Sequence, residues 1–237
     1  MEYVIKNKKI KLITNSNVFK PTQTSKYLLD GIIKDYKFKK IVALDMGCGN
    51  GIIGITLLKI FANFKEFFFT DLSKNAIILT KKNIIKNKIN LKNIKLIQSD
   101  IFKNLKLKKF DLIINDVSGI SDKLIFISSW FKDIPCNSGP DGTDLTIEVL
   151  KNFKLHLNKK GRMYFPVISL SNEKKIFRYL NRNKIKYKIV SENDWPLPKE
   201  LYKSLNLLKK LKLKNYINFK KKFNILIAST KIIRIVN

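Results

Sequence analysis

Leu44-Asp45-Met46-Gly47-Cys48-Gly49-Asn50-Gly51 is the stretch on which the reading of this chain turns. It closes the short apolar run Ile41–Asp45, which has the length and composition of a buried parallel strand. Three glycines at alternate positions let the backbone turn sharply and come close to a bound molecule. Ile52–Phe61 follows with helical spacing, so the free N–H groups of a helix start fall at the same place. Ligands of open parallel sheets sit at the carboxyl ends of the strands. The loop is therefore the predicted binding site.

The strand-then-helix unit repeats on both sides of it. Tyr3–Ile5 and Ile10–Ile13 flank a polar turn and predict a short hairpin, and Thr24–Lys34 reads as a helix with Thr22 or Thr24 as its cap. Phe67–Thr70, Ile94–Gln98, Phe110–Asn115 and Met163–Val167 read as further strands. Helices fall between them, one capped by Ser73 and running to about Lys86, others at Leu145–Leu155 and Lys174–Leu180. Tyr187–Val190 and Phe223–Ala228 complete the set, with Trp195-Pro196-Leu197-Pro198 as the link between them. This alternation predicts an α/β fold: Rossmann-like, doubly wound, with a mostly parallel seven-stranded sheet. Asn215–Lys222 facing Asn224–Ile235 predicts an antiparallel hairpin at the sheet edge. No Gly/Ser- or Pro-rich linker divides the chain. Residues 1–237 are expected to form one domain, with an N-terminal hairpin and helix at 1–38 and a basic helix-hairpin segment at 199–237.

Composition narrows the class. With 237 residues and 45% hydrophobic side chains the chain can bury a full core, which excludes wholesale disorder. Cys48 and Cys136 are too few for a disulfide framework and lack zinc-ligand spacing. The start alternates charged and apolar residues, unlike a signal peptide or a membrane span. A cytoplasmic, soluble protein without a bound metal is expected. The net charge is +30, but 44 of the 48 basic residues are lysines, an excess that AT-rich codons also produce. Selection for phosphate or guanine contacts would enrich arginine. The distribution says more: residues 161–237 alone carry +15.

Two cofactors compete for the loop. Gly49-x-Gly51-x-x-Gly54 formally matches the dinucleotide fingerprint, but places Asp45 inside a buried strand. Read from Gly47, Asp45 lies at the strand tip beside the ligand, where a carboxylate repels a pyrophosphate and attracts a cation. S-adenosylmethionine carries an ammonium, a sulfonium and a carboxylate, and no phosphate. The second register is favoured by charge.

Leu44–Gly51 resembles the nucleotide-binding motif of the class I S-adenosylmethionine-dependent methyltransferases. The resemblance implies that Asp45, Gly47, Gly49 and Gly51 line the methyl donor's site. It implies that Asp71, 26 residues after Asp45 at the end of Phe67–Thr70, holds the two ribose hydroxyls. It also sets Asp100 against the adenine amino group and Ile101 against the ring. Val18–Thr24, Phe110–Asn115 and Gly139–Asp144 are similar to the small-domain methyltransferases, which include release-factor glutamine and ribosomal-RNA guanine N-methyltransferases. The similar segments run from about residue 18 to residue 168.

The chain departs from that subgroup at its fourth strand. Where the subgroup has Asn-Pro-Pro-Tyr, this chain has Asn115-Asp116-Val117-Ser118, without the prolines that fix the backbone and the aromatic that stacks on a flat substrate. Asn115 is expected to orient the acceptor and Asp116 to accept its hydrogen. Trp130-Phe131 is a candidate replacement for the lost tyrosine, although such a pair more often belongs to a core. His156, the single histidine, has no triad-like partner and reads as structural. The expected function is S-adenosylmethionine-dependent methyl transfer to a nitrogen of a protein or RNA acceptor, an RNA or a ribosome-associated protein. The rivals are an NAD-dependent oxidoreductase and a non-catalytic basic RNA-binding protein on the same scaffold.

Overall fold

The computed structural model describes residues 1–237 except 38–39, 62–63, 132–133 and 135, and the side chain of residue 131. Along the chain come β1 (Glu2–Ile5), β2 (Lys8–Lys11), α1 (Gln23–Asp35), β3 (Ile41–Met46), α2 (Ile52–Ile60), β4 (Phe64–Asp71), α3 (Lys74–Lys86), β5 (Ile94–Gln98) and β6 (Phe110–Asn115). They are followed by α4 (Asp122–Ile125), α5 (Asp144–His156), β7 (Leu157–Ile168), α6 (Glu173–Arg182), β8 (Tyr187–Pro196), α7 (Lys199–Tyr202), α8 (Leu205–Leu213), β9 (Lys220–Lys222) and β10 (Ile225–Val236).

β1 and β2 form the expected hairpin. The main sheet runs β5-β4-β3-β6-β7-β10-β8, with short β9 pairing to β10. Pairs β5/β4, β4/β3, β3/β6 and β6/β7 are parallel, and β10 is antiparallel to β7, β8 and β9. The fold is thus α/β and mostly parallel, with its antiparallel hairpin at the β8 end. The long arm of that hairpin does not stop at the margin. β10 inserts between β7 and β8, because Ile232 packs on one face of the sheet and Ile233 and Ile235 on the other. A strand with two apolar faces needs cover on both.

Alternation along the strands sorts the core into two layers. Phe67, Phe69, Leu112 and Ile114 face α1, α2 and α3, through Leu28, Leu29, Ile55 and Ile84. Phe68, Ile113, Met163 and Phe165 face α5 and α6, through Val149, Phe153 and Ile176. Ser73 caps α3, its hydroxyl accepting from the Ala76 N–H at 3.4 Å, and Asn172 caps α6 in the same way from Lys175. Thr22 stands at the start of α1 but makes no side-chain cap, contrary to expectation. Trp195 and Pro196 end strand β8 instead of forming a link. Strand order reverses between β3 and β6. The loops after these two strands therefore part, and a crevice opens over their carboxyl ends.

Candidate active site

A cavity of about 1030 Å³ lies over that crevice. Its walls come from the segment before α1, the loop after β3, the ends of β4, β5 and β6, and residues near Trp130 and Trp195. Gly47, Gly49, Asp71, Asp100, Ile101 and Asp116 all line it, so six of the residues singled out in the sequence meet at one place.

The glycine loop is held from within. Gly47, Gly49 and Gly51 all take positive φ, and a Cβ on Gly47 would lie 3.0 Å from the Val117 amide nitrogen. That approach brings the β3 and β6 loops together. Most of the loop's own N–H groups are already used. Gly47 and Cys48 donate to the Thr70 carbonyl, Gly49 to Asp71 Oδ2, Gly51 to the Cys48 carbonyl, Ile52 to Asn50 Oδ1 and Gly54 to Asp45 Oδ2. A pyrophosphate docks on free loop amides. Here six of them have oxygen partners inside the chain.

Three expected site residues lie elsewhere. Asp45 does not line the cavity: it alternates with Leu44 and Met46, points to the α2 side of β3 and is buried. Its Oδ2 accepts the Gly54 N–H at 2.9 Å, while Oδ1 is buried without a partner among the described residues. Burial raises its pKa to about 8, with the charges of Asp116 and Asp71 adding to the rise, so the carboxyl is largely neutral at pH 7. The expectation of a negative charge at the cavity mouth is therefore corrected. The amide usage of the loop, not the charge of Asp45, is the feature that bears on the choice of cofactor. Gly51 likewise stands off the wall, as the left-handed residue that starts α2.

Asn115 is the third. It is buried, and its Oδ1 accepts from the Val117 N–H at 3.3 Å. A proline at 117 would have no N–H to offer. With valine there, the amide turns the Asn115 oxygen back onto its own loop. Asp116 uses its freed N–H in the same way, donating to the Met46 carbonyl at 3.0 Å. Loss of both prolines thus replaces an open amide with a self-bonded turn, and Asn115 does not reach the cavity.

Asp116 does. Half-buried at the wall, it accepts the Ser25 hydroxyl at 2.8 Å on Oδ2. Burial lifts its pKa to about 7, against the lowering effect of the Ser25 bond. A carboxylate that titrates near neutrality is suited to proton transfer. Asp71 has a different character. Its Oδ2 accepts from Gly49 and its Oδ1 from Ser73, both at 2.9 Å, leaving lone pairs on both oxygens. It also starts the turn into α3, so it serves both a structural and a ligand-facing role. Burial raises its pKa, opposed by the Ser73 and Gly49 amides. Asp100 is more open and pairs with Lys103. Ile101 takes φ +50, a conformation unfavourable for a β-branched residue, at the cavity wall.

Sequence reading missed several wall residues. Ser25 reaches Asp116 across 91 positions, a separation no local pattern reveals. Asn50 is buried at the wall, with Nδ2 lacking a partner among the described residues. Trp130, half of the expected aromatic pair, does line the cavity, and there it meets Trp195, with ring centroids 6.1 Å apart. The side chain of Phe131, the other half of the expected aromatic pair, lies outside the described residues. His156 is structural, as expected: it is buried, accepts or donates at the Lys108 carbonyl at 2.9 Å and stacks on Phe102. Cys48 carries a thiol pushed well up by burial, so it is no nucleophile.

The residues fit S-adenosylmethionine. Asp71 offers acceptors for a ribose diol, Asn50 a buried donor for a carboxylate, and Ile101 with Leu72 apolar surface for a flat ring. Comparison with known proteins finds similarity to methyltransferases. Residues 9–116 match the family model "Methyltransferase small domain". The ribosomal protein L11 methyltransferase of Thermoanaerobacter pseudethanolicus is 27% identical over 162 residues, covering 68% of this chain and 49% of that protein. The release factor glutamine methyltransferase of Buchnera aphidicola is 30% identical over 126 residues, covering 52% and 44%. The chain thus spans about half the length of the curated relatives it matches. The crystal structure of a ribosomal protein L11 methylase from Lactobacillus delbrueckii subsp. bulgaricus shares the fold, with a TM-score of 0.59 at 18% identity over 98% of this chain and 89% of that one. The matched residues 9–116, which hold the glycine loop, both strand-end carboxylates, Asn115 and Asp116, are similar to the methyltransferase small-domain family.

Proposed function

We propose that this protein is an S-adenosylmethionine-dependent methyltransferase acting on a nitrogen of a protein or RNA acceptor. One observation carries the reading. Asp71, with lone pairs open on both oxygens, and Asp116, titrating near neutrality, face the same cavity at the strand-order reversal. S-adenosylmethionine would supply an electrophilic methyl group there; the side chains do the rest. Asp71 binds the ribose hydroxyls, Asn50 the carboxylate, and Ile101 and Leu72 flank the adenine. Asp116, oriented by Ser25, takes the proton that an acceptor nitrogen must lose. Trp130 and Trp195 give the acceptor end of the cavity an aromatic wall in place of the absent tyrosine.

Positioning of the acceptor accounts for most of the rate, because oriented reactants can gain about 7–11 kcal/mol over free encounter. Proton transfer to Asp116 adds about 10²–10⁴-fold. The relatives named for ribosomal protein L11 and release-factor substrates support a translation-associated acceptor for this chain. No helix among the described residues is long and apolar enough to cross a membrane. A cytoplasmic site of action fits that and the two free cysteines. A nucleotide-dependent oxidoreductase is disfavoured by the loop amides, which are engaged within the chain.

The test is a transfer assay. Extract from cells lacking this protein is incubated with the purified chain and S-adenosylmethionine labelled on the methyl group. Label entering protein or RNA, and lost with Asp116→Asn, is the expected result. Unlabelled macromolecules together with labelled small molecules would refute the acceptor class.

A further inference from the structure

Methyl transfer leaves one surface unused. Leu201, Leu208, Leu211 and Ile217 bury against Ile120 and Leu124, which seats α7, α8 and the β9–β10 hairpin next to the Trp195 end of the cavity. The outer side of this cap is basic. Between Lys199 and Lys222 the sequence has nine lysines, all exposed, and one acidic residue, Glu200. Glu200 is engaged by the Ser129 amide and hydroxyl, at 3.1 and 3.0 Å. Among the described residues, the carboxylate near these lysines is Asp194, 3.7 Å from Lys220. Some lysines elsewhere are held by carboxylates: Lys108 meets Glu66, Lys175 meets Asp141, and Lys231 lies between Glu173 and Glu192. The cap thus carries dense positive charge beside the cavity.

Phe223 gives that charge a partner class. Phe223 and Asn224 form the two-residue turn between Lys222 and Ile225, both with positive φ, at +46° and +60°. Such a turn suits asparagine or glycine, and a bulky side chain is unfavourable in it. The ring is nevertheless 88% exposed at the tip, with the Lys222 ammonium 5.7 Å from its centroid. AT-rich codons raise the number of lysines and phenylalanines, but they do not choose this position for one.

We propose that the cap binds single-stranded RNA, with Lys220, Lys221, Lys222 and the α8 lysines on phosphates and Phe223 stacked on an unpaired base. Every base has a π face, so aromatic stacking beside a basic track holds single strands with little sequence preference. A duplex keeps its bases stacked on each other and offers this ring nothing. An acidic protein would satisfy the lysines but leave the ring in water. The inference goes beyond methyl transfer, since binding is measured without donor or turnover.

Fluorescence anisotropy on the full chain decides it, using labelled oligouridylate of about 12 nucleotides, an RNA duplex of matching length and a poly-glutamate peptide. Oligouridylate is expected to bind tightest, with affinity falling as salt rises. Phe223→Asn keeps the turn, because asparagine accepts positive φ. It should retain the thermal melt while losing oligouridylate affinity by about fivefold or more, with duplex affinity unchanged. Phe223→Trp should bind at least as well as the natural chain. Replacing Lys220, Lys221 and Lys222 together by glutamine should flatten the log–log salt slope by about 2. Equal oligouridylate binding by Phe223→Asn, or poly-glutamate or duplex bound as tightly as oligouridylate, would overturn the proposal.

Discussion

At the scale of single residues, the contrast between positions 115 and 116 governs the chemistry. A backbone N–H at 117 draws the Asn115 oxygen into its own loop, whereas the Asp116 carboxyl opens onto the cavity under the Ser25 hydroxyl. Asp116→Asn should therefore lower the turnover number by about 10²–10⁴ and leave donor binding intact. Asn115→Ala should cost far less, because that side chain supports a turn. The rising limb of the pH–rate profile should lie near pH 7, where Asp116 loses its proton. Ser25 donates to the ionised carboxylate and so lowers its pKa; Ser25→Ala should move that limb to higher pH, and Ser25→Thr should restore it. A loss of rate at every pH with an unmoved limb would mean that Ser25 only supports the fold.

At the scale of elements, the central βαβ units were legible in the sequence because they are buried from both sides. The runs Ile41–Met46, Phe67–Thr70 and Phe110–Asn115 are apolar almost throughout, and a glycine loop and a Ser73 cap mark where helices start. Gly54 shows how tightly α2 lies on the sheet: a Cβ there would meet the Phe69 ring at 2.3 Å. Gly54→Ala should gain about 1 kcal/mol in helix propensity and lose about 1–3 kcal/mol to overpacking. A lower urea midpoint with an unchanged slope is the expected reading. The position of β10 between β7 and β8 was not legible, since two apolar faces say only that the strand is covered on both sides, while tertiary packing chooses its neighbours. The same holds for the meeting of Trp130 with Trp195, and for Asp45, whose side of the strand depends on where α2 docks. Strand ends mark which carboxylates are available; only the packed loops decide which of them face the ligand.

At the scale of the whole molecule, two desolvated carboxyls with raised pKa values, one buried and one half-buried, tie stability to pH. Asp45 titrates at about 8 and Asp116 at about 7 in the fold, against an ordinary value of 3.8. The folded chain therefore holds protons that the unfolded chain has released, and stability falls as pH rises from about 4 through about 8. The slope reaches about 1.4 kcal/mol per pH unit for each group, and the contribution of Asp116 ends near pH 7 and that of Asp45 near pH 8. Asp45→Asn should flatten the decline, seen as a smaller drop in melting temperature between pH 5 and pH 8. A decline as steep as in the natural chain would mean that Asp45 is ionised in the fold. The same interior that keeps Asp45 neutral leaves Asp71 as the acceptor for a diol, in a loop with few amides left for phosphates. Calorimetric titration of the natural chain and of Asp71→Asn, each with S-adenosylmethionine and with NADH, tests that arrangement directly. The natural chain should bind S-adenosylmethionine and not NADH, and Asp71→Asn should weaken the donor by roughly tenfold or more. NADH binding in place of S-adenosylmethionine, or a donor affinity indifferent to Asp71, would contradict it.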